Sequence, residues 1–359
     1  MIGYFYICDR IIKKMEAQRQ QKIVGIVLQN SPIGISEILG ILDENISVPT
    51  LNRELAKLKA TQIIQTIGKG PSLKYVINLE NLLTFPINIE AFFNLDVDER
   101  RIIERFNIKI FDQIKDVQIF SEQEMKLLNS ISKLFQDKVK NLTEVQFRKE
   151  FERLMIELSW KSSQIEGNTY DLLDTEQLLK YNIASALHTK EEAQMLLNHK
   201  TVIEYTYQNR DLYEQLSIAK IIDIHTLVTQ KMGISKNPRK RMVRITGTKY
   251  LPPDNEFIIE EALAKLCELI NNKENIFEKA FLSILLVSYI QPFEDGNKRT
   301  ARLAGNAILM NANVCPLSYR SVNPAEYKKA VLLFYELNNI SAFKEIFINQ
   351  YRFAVENYF

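Results

Sequence analysis

The residues of this chain best suited to chemistry stand close together: Asp295, Gly296, Asn297, Lys298, Arg299 and Arg302. The combination handles phosphate. Gly296 lets backbone come close to a ligand, Asn297 is placed to cap a following helix, and the first N–H groups of that helix face outward at the positive end of its dipole. Arg299 and Arg302, three apart, share a helix face from which both reach polyphosphate oxygens. Asp295 is placed to hold a divalent cation bridging two phosphates. Gln291, just upstream, carries an amide that hydrogen-bonds but takes no proton near neutral pH. Ser162 and Glu166 form a second pair, one helical turn apart. Each feature has a plainer reading: Asp-Gly-Asn is also a turn, two arginines are also a solvated face, and a Ser and a Glu at that spacing are common.

Several elements must position these groups. The apolar run 277–290 predicts a buried helix, a second helix runs from 298 to about 310, and a short loop joins them. Thr143-Glu144-Val145-Gln146 has the form of a capping box, so a helix begins there, continues through Phe147, Phe151, Leu154 and Leu158 to Ile165, and stops at Gly167. It delivers Ser162 and Glu166 near its end. Residues 243–251 alternate across Gly247 and predict a small hairpin ended by Pro252-Pro253. Further helices are predicted over 122–138, 173–181, 191–207, 221–228, 326–336 and 341–358. His188 and His199 read as surface or packing residues and His225 as a satisfied core histidine. None is an obvious proton acceptor.

The N-terminal part has its own pattern. Ile23, Val24, Val27 and Leu28 mark a helix over 16–28, Ser31-Pro32 breaks it, and Ile38, Leu39 and Leu42 mark a short second helix followed by a turn at 43–45. Ser47 caps a third helix, with Pro49 in its first turn and Leu51, Leu55 and Leu58 facing inward. Two β-like runs, 63–67 and 73–77, follow around Gly68-Lys69-Gly70-Pro71. Residues 1–80 therefore resemble a winged helix-turn-helix. In that arrangement Thr50, Asn52, Arg53 and Lys57 face outward as the DNA reader, with Lys69 and Lys74 on the wing. Between 47 and 77, Arg53, Lys57, Lys59, Lys69 and Lys74 face a single acid, Glu54. The other use of such a domain is protein contact or dimerisation, which would make a homodimer. Residues 81–120 show no firm period and read as a connecting linker.

Composition sets the outer bounds. With 359 residues, 46% of them hydrophobic, the chain has room for two or three domains with real cores. A formal charge of +2 gives no global bias toward nucleic acid or membrane, so any basic surface is local. Cys8, Cys267 and Cys315 lack the spacing of a disulfide framework or a zinc site. No run approaches the ~18 apolar residues of a membrane helix. The patch 2–8 is too short for a signal-peptide core and is followed, not preceded, by basic residues. The expectation is a cytoplasmic protein without a membrane partner, with Met15 a second candidate start.

Gln291-Pro292-Phe293-Glu294-Asp295-Gly296-Asn297-Lys298-Arg299-Thr300-Ala301-Arg302 resembles the signature of the Fic (Fido) family, H-P-F-x-[D/E]-G-N-x-R-x-x-R. Pro292, Phe293, Asp295, Gly296, Asn297, Arg299 and Arg302 match; Gln291 stands where the family has its histidine. The resemblance implies a mainly α, Fic-type helical bundle with a small β-hairpin flap over residues 121–359. It implies ATP with Mg²⁺ as ligands, with Phe293, Gly296, Asn297, Lys298, Arg299 and Arg302 at the nucleotide, Asp295 at the metal, and Gln291 and Arg299 in the catalytic positions. In the family the histidine takes the proton of a target hydroxyl, which attacks the α-phosphate and leaves the target carrying AMP. General-base catalysis is worth roughly 10²–10⁴-fold, so Gln291 implies impaired transfer.

Two further matches follow from the resemblance. Ser162-Ser163-Gln164-Ile165-Glu166-Gly167 fits the family's inhibitory motif, [S/T]-x-x-x-E-[G/N], within the helix 143–167. There the glutamate pairs with the second signature arginine, here Arg302, in the space of a γ-phosphate. Val243, Arg244, Ile245 and Thr246 fall where the family's flap pairs with the backbone of a target protein; that target is unidentified, and the chain itself is a candidate. The expectation is an autoinhibited protein adenylyltransferase impaired at its base. The alternative is a catalytically inactive, nucleotide-sensing DNA-binding regulator. Gln291 as a natural residue and Gln291 as an introduced one both stay open. For the other transfers or AMP removal known in the family the sequence offers no positive sign.

Overall fold

The computed structural model describes residues 2–42, 44 and 46–359, with side chains from Met15 onward. The side chains of the 2–8 patch, Cys8 among them, and the turn residues Asp43 and Asn45 lie outside that range. The chain divides into two compact units, the first comprising residues 1–104, 247–249 and 332–342, the second the remainder.

In the first unit three helices, α1 (Ile2–Asn30), α2 (Ile35–Ile41) and α3 (Val48–Ala60), precede an antiparallel pair, β1 (Ile64–Ile67) and β2 (Lys74–Ile77), and then α4 (Ile89–Phe93). Helix α1 starts well before the expected residue 16. Helix α3 begins where Ser47 Oγ accepts the Thr50 N–H, with proline in its first turn, where a missing donor costs nothing. Its apolar stripe, Leu51, Leu55 and Leu58, is buried with Ile23, Val24, Val27, Ile64 and Tyr75. The strands pair with Ile64 opposite Ile77 and Ile67 opposite Lys74, and Ile33 bridges to Tyr75.

Leu82 and Phe92 belong to the same core, so the stretch from 81 is not the expected linker. Its few apolar residues pack without a regular period, which is why they read as a connection.

The second unit holds α5 (Ile110–Lys115), α6 (Glu122–Lys140), α7 (Glu144–Ile165), α8 (Leu172–Tyr181), α9 (Lys190–Gln208), α10 (Ile218–Val228), α11 (Glu256–Asn272), α12 (Ile276–Ile290) and α13 (Asn297–Asn311). Helices α14 (Pro324–Leu337) and α15 (Ser341–Asn357) follow, α14 belonging to this unit through residue 331 and α15 from residue 343. Helix α12 is buried from Ala280 to Ile290 on every face, as a helix apolar all round must be. Helix α13 lies tightly against it: a Cβ on Gly305 would sit 2.5 Å from Ile284 Cγ1.

The expected hairpin over 243–251 does not form. Among the described residues the only strand ladder is β1–β2. Residues 246 and 247 do turn, with Gly247 at φ +89°, but the returning arm is held elsewhere. The Tyr250 hydroxyl donates to Tyr289 O at 2.9 Å and Leu251 bridges to Arg105, so neither arm meets the other. Among the described residues no helix is long and apolar enough to cross a membrane.

Candidate nucleotide site

Helix α12 ends at Gln291, whose backbone takes the left-handed conformation, φ 50° and ψ 57°, and turns the chain into the loop 292–296. The Gln291 amide folds back: Nε2 donates to Ser288 O at 2.6 Å. Arg239, buried without a carboxylate, holds the loop from the other side. Its Nε donates to Gln291 O at 2.7 Å, its Nη2 to Pro253 O at 2.7 Å and its Nη1 to Arg241 O at 2.8 Å, while its backbone N–H donates to Pro292 O. Burial pulls the Arg239 pKa down, and the carbonyl dipoles stand in for a counter-ion.

Inside the loop Phe293 and Asn297 clamp one another. Phe293 N–H donates to Asn297 Oδ1 and Asn297 Nδ2 donates to Phe293 O, both at 2.8 Å. Asn297, expected as a helix cap, is instead the first residue of α13; the cap is Gly296, at φ +80°. A Cβ there would lie 2.9 Å from Thr229 Cγ2, so both the left-handed turn and the close approach require glycine. The Phe293 ring is wholly buried and stacks on His225, centroids 3.6 Å apart. Phe293 and Asn297 thus spend their side chains shaping the loop. The N–H groups of residues 296–299 have no acceptor among the described residues and remain as an anion seat.

Arg299 and Arg302 flank that seat. Arg299 Nη2 lies 3.0 Å from Asp295 Oδ2, and the Asp295 side chain is otherwise exposed. Arg302 is fully buried and donates from all three nitrogens: Nε to Ser162 Oγ and Nη2 to Ser162 O, both at 2.8 Å, and Nη1 to Glu166 Oε1 at 2.9 Å. Its guanidinium also lies over the Tyr327 ring. The other Glu166 oxygen is 3.7 Å from Lys298 Nζ. Burial opposes both charges of the central pair, but each partner's charge prevails: Glu166 is held below the usual carboxylate range and Arg302 above its own.

Helix α7 supplies Ser162 and leads into Glu166, as the sequence pattern predicts. Thr143 and Gln146 make both bonds of a capping box, and the helix ends at Glu166 and Gly167, the latter at φ +102°. Behind Ser162 stands a residue that sequence reasoning passed over. His199 Nε2 is 3.0 Å from Ser162 Oγ and its Nδ1 is 3.0 Å from Met195 O. Burial lowers His199 to about 3, so it is neutral, donates from Nδ1 to the carbonyl and accepts the Ser162 hydroxyl at Nε2. That frees Ser162 Oγ to accept from Arg302. His225, lowered by burial to about 4, donates from Nε2 to Asp295 O and is inaccessible. His188 bonds Asp174 and Thr169.

Val243, Arg244, Ile245 and Thr246 alternate half-buried with exposed, Thr246 already in the turn, and their backbone groups make no hydrogen bonds among the described residues. In the first unit Asn52, Arg53, Lys57, Lys69 and Lys74 are exposed and Thr50 half-exposed. Glu54, the acid among them, is buried, takes a 2.9 Å bond from Gln20 and lies 3.9 Å from Arg53 Nε, so it offsets part of the Arg53 charge and none of the others. Lys57 pairs with Glu16.

Residues 215–309 match the model of the Fic/DOC family. A protein adenylyltransferase Fic from Nematostella vectensis is 31% identical over 178 residues, 47% of this chain and 40% of that protein. A probable protein adenylyltransferase from Aquifex aeolicus is 26% identical over 152 residues, 40% of this chain and 47% of that one. The chain spans less than half the length of these curated relatives. Among solved structures, Fic-1 (residues 134–508) from C. elegans superposes with a TM-score of 0.59 at 16% identity, covering 90% of each chain. A Fic domain-containing signaling protein from Bacteroides thetaiotaomicron gives 0.55 at 21% identity, over 65% of this chain and 94% of that one. The chain is mainly helical and has a Fic-type fold, and the stretch that matches the Fic/DOC family model holds the 291–302 loop.

Proposed function

We propose that this protein binds ATP at the 291–302 loop, is held closed by Glu166, and belongs to the protein adenylyltransferases with its proton-accepting position altered. The observation that carries this reading is the Arg302 clamp. A buried guanidinium beside unused helix N–H groups, closed by a carboxylate from α7, is what a polyphosphate seat looks like when an internal anion fills it. The phosphates would lie along residues 296–299, with Arg299 and Lys298 beside them. Asp295 fits Mg²⁺: it is exposed and has one oxygen uncommitted, and no cluster of three or more metal-binding side chains occurs among the described residues. One carboxylate with ligands from the nucleotide suits that ion, which would neutralise phosphate charge.

Transfer would form a bond from a target hydroxyl oxygen to the α-phosphorus, break the bond to pyrophosphate and release the hydroxyl proton. Gln291 cannot take that proton, and its amide is already bonded to Ser288 O. The 243–246 segment, whose backbone donors and acceptors have no partner among the described residues, suits main-chain pairing with a target peptide. Calorimetry tests the binding half: ATP should bind Glu166→Gly protein at least ~10-fold more tightly than the parent, and no heat with either protein would refute it.

The exposed basic residues Arg53, Lys57, Lys69 and Lys74 favour a second reading: a winged helix-turn-helix over residues 1–80 that binds DNA while the nucleotide pocket senses ATP without turnover. A homodimer through the same domain would leave Arg53 without effect on DNA.

A further inference from the structure

Away from the nucleotide loop, the second unit contains a cavity of about 330 Å³, near the lower end of small-molecule sites. Its walls come from four helices and the C-terminal residue. Phe135 lies on α6, Phe147 and Phe151 on α7, Tyr207 on α9, Met310 on α13, and Phe359 closes one side. The rings form a continuous array. Phe151 and Tyr207 have centroids 4.3 Å apart, Phe147 stacks with Phe359 at 5.2 Å, and Phe359 meets Phe135 edge-on at 5.2 Å. Apart from Phe135 these rings are only half-buried, so their faces line the space instead of filling it.

Two cations stand at this cavity, Lys140 at the end of α6 and Arg210 just after α9, with the Arg210 guanidinium over the Tyr207 ring at 5.5 Å. Neither has a carboxylate partner among the described residues. The lining includes no acid; its other polar side chains are Gln136 and Asn313. Nothing in the nucleotide site uses this cavity.

We propose that it is a second binding site, for a small aromatic acid: a flat apolar body laid against the exposed sides of Phe147, Phe151 and Tyr207, with its carboxylate or sulfonate facing Lys140 and Arg210. Flat rings offer an arene offset-stacked and edge contacts. The two unpaired cations select the anionic form. The reading is independent of the nucleotide site.

Anilinonaphthalene sulfonate serves as the probe, titrated by fluorescence against the full chain, beside the uncharged phenylnaphthylamine. The expected result is saturable binding of one sulfonate per chain, weakened about tenfold in the double variant Lys140→Gln, Arg210→Gln, with the uncharged probe unchanged. Both substituted residues lie at the cavity edge, and an unaltered thermal midpoint confirms folding. Equal loss of both probes, equal sulfonate binding by parent and variant, or non-saturable uptake overturns the proposal. So does sulfonate binding that falls as the chain self-associates at high concentration, since a second copy would then be the occupant.

Discussion

Arg302 and Glu166, 136 positions apart in the chain, meet at 2.9 Å, with Ser162 taking two further guanidinium N–H groups. The pair lies beside the start of α13, where Lys298 is 3.7 Å from Glu166 and the first N–H groups have no acceptor among the described residues. A buried ion pair is weak evidence of stability but is costly to break on one side. Glu166→Gly should therefore destabilise the nucleotide-free protein by about 3 kcal/mol and gain more from added ATP than the parent does. Thermal melts with and without nucleotide check both parts.

Acid should act on the same pair. The Glu166 carboxyl is depressed, so its contribution is present above the ordinary carboxylate range and is lost as pH falls through its lower folded value. His199 and His225, depressed from 6.5 to about 3 and about 4, have the same sign, since the unfolded chain takes up their protons first. Urea midpoints should fall steadily from pH 7 to pH 5, by up to ~1.4 kcal/mol per pH unit for each histidine. His199→Gln should flatten that slope. A parent protein equally stable at both values would contradict the neutral assignment.

The loop tolerates little. Gly296→Ala would force a side chain to φ +80° and to 2.9 Å from Thr229, at a cost of roughly 1–3 kcal/mol, and should tilt the residue 296–299 amides. ATP binding to Glu166→Gly protein should weaken when this change is added, as calorimetry would read.

Arg239 carries a prediction of another kind. Its guanidinium joins Gln291 O to Arg241 O and Pro253 O, so it fixes the loop against both ends of the segment that holds 243–246. Lysine cannot present the same planar fork. Arg239→Lys should lower stability by about 2 kcal/mol and increase proteolytic cleavage between 241 and 253, read by limited digestion.

For the first unit, Arg53→Ala should weaken DNA binding and lessen the salt dependence by about one phosphate contact. Lys57→Ala should matter less, because its amine is in direct contact with Glu16, whereas Arg53 stands 3.9 Å from Glu54 and is more exposed. Filter binding at two salt concentrations reads both.

What the sequence made legible follows from what is local. The run 277–290 became α12, the capping box at Thr143 opened α7, and the spacing of Ser162 and Glu166 delivered both to Arg302. What it hid depends on distant partners. His199 looked like an ordinary helix residue because its meaning lies in Ser162, 37 positions away. Arg239 sat in a basic run that reads as surface, yet it is buried among carbonyls. The alternation at 243–251 promised a hairpin, but Tyr250 is bonded to Tyr289, and no local pattern reports that. Asn297 was legible as a helix-start residue, read as the cap, but not as a clamp on Phe293.

Labelled-ATP transfer, with Glu166→Gly and Glu166→Gly, Gln291→His proteins compared side by side, tests the central claim most directly. Removing the carboxylate should leave a site that holds ATP yet transfers AMP slowly, and adding the histidine should raise labelling of chain or target by roughly 10²-fold or more. Strong labelling by Glu166→Gly protein with Gln291 in place would contradict the account.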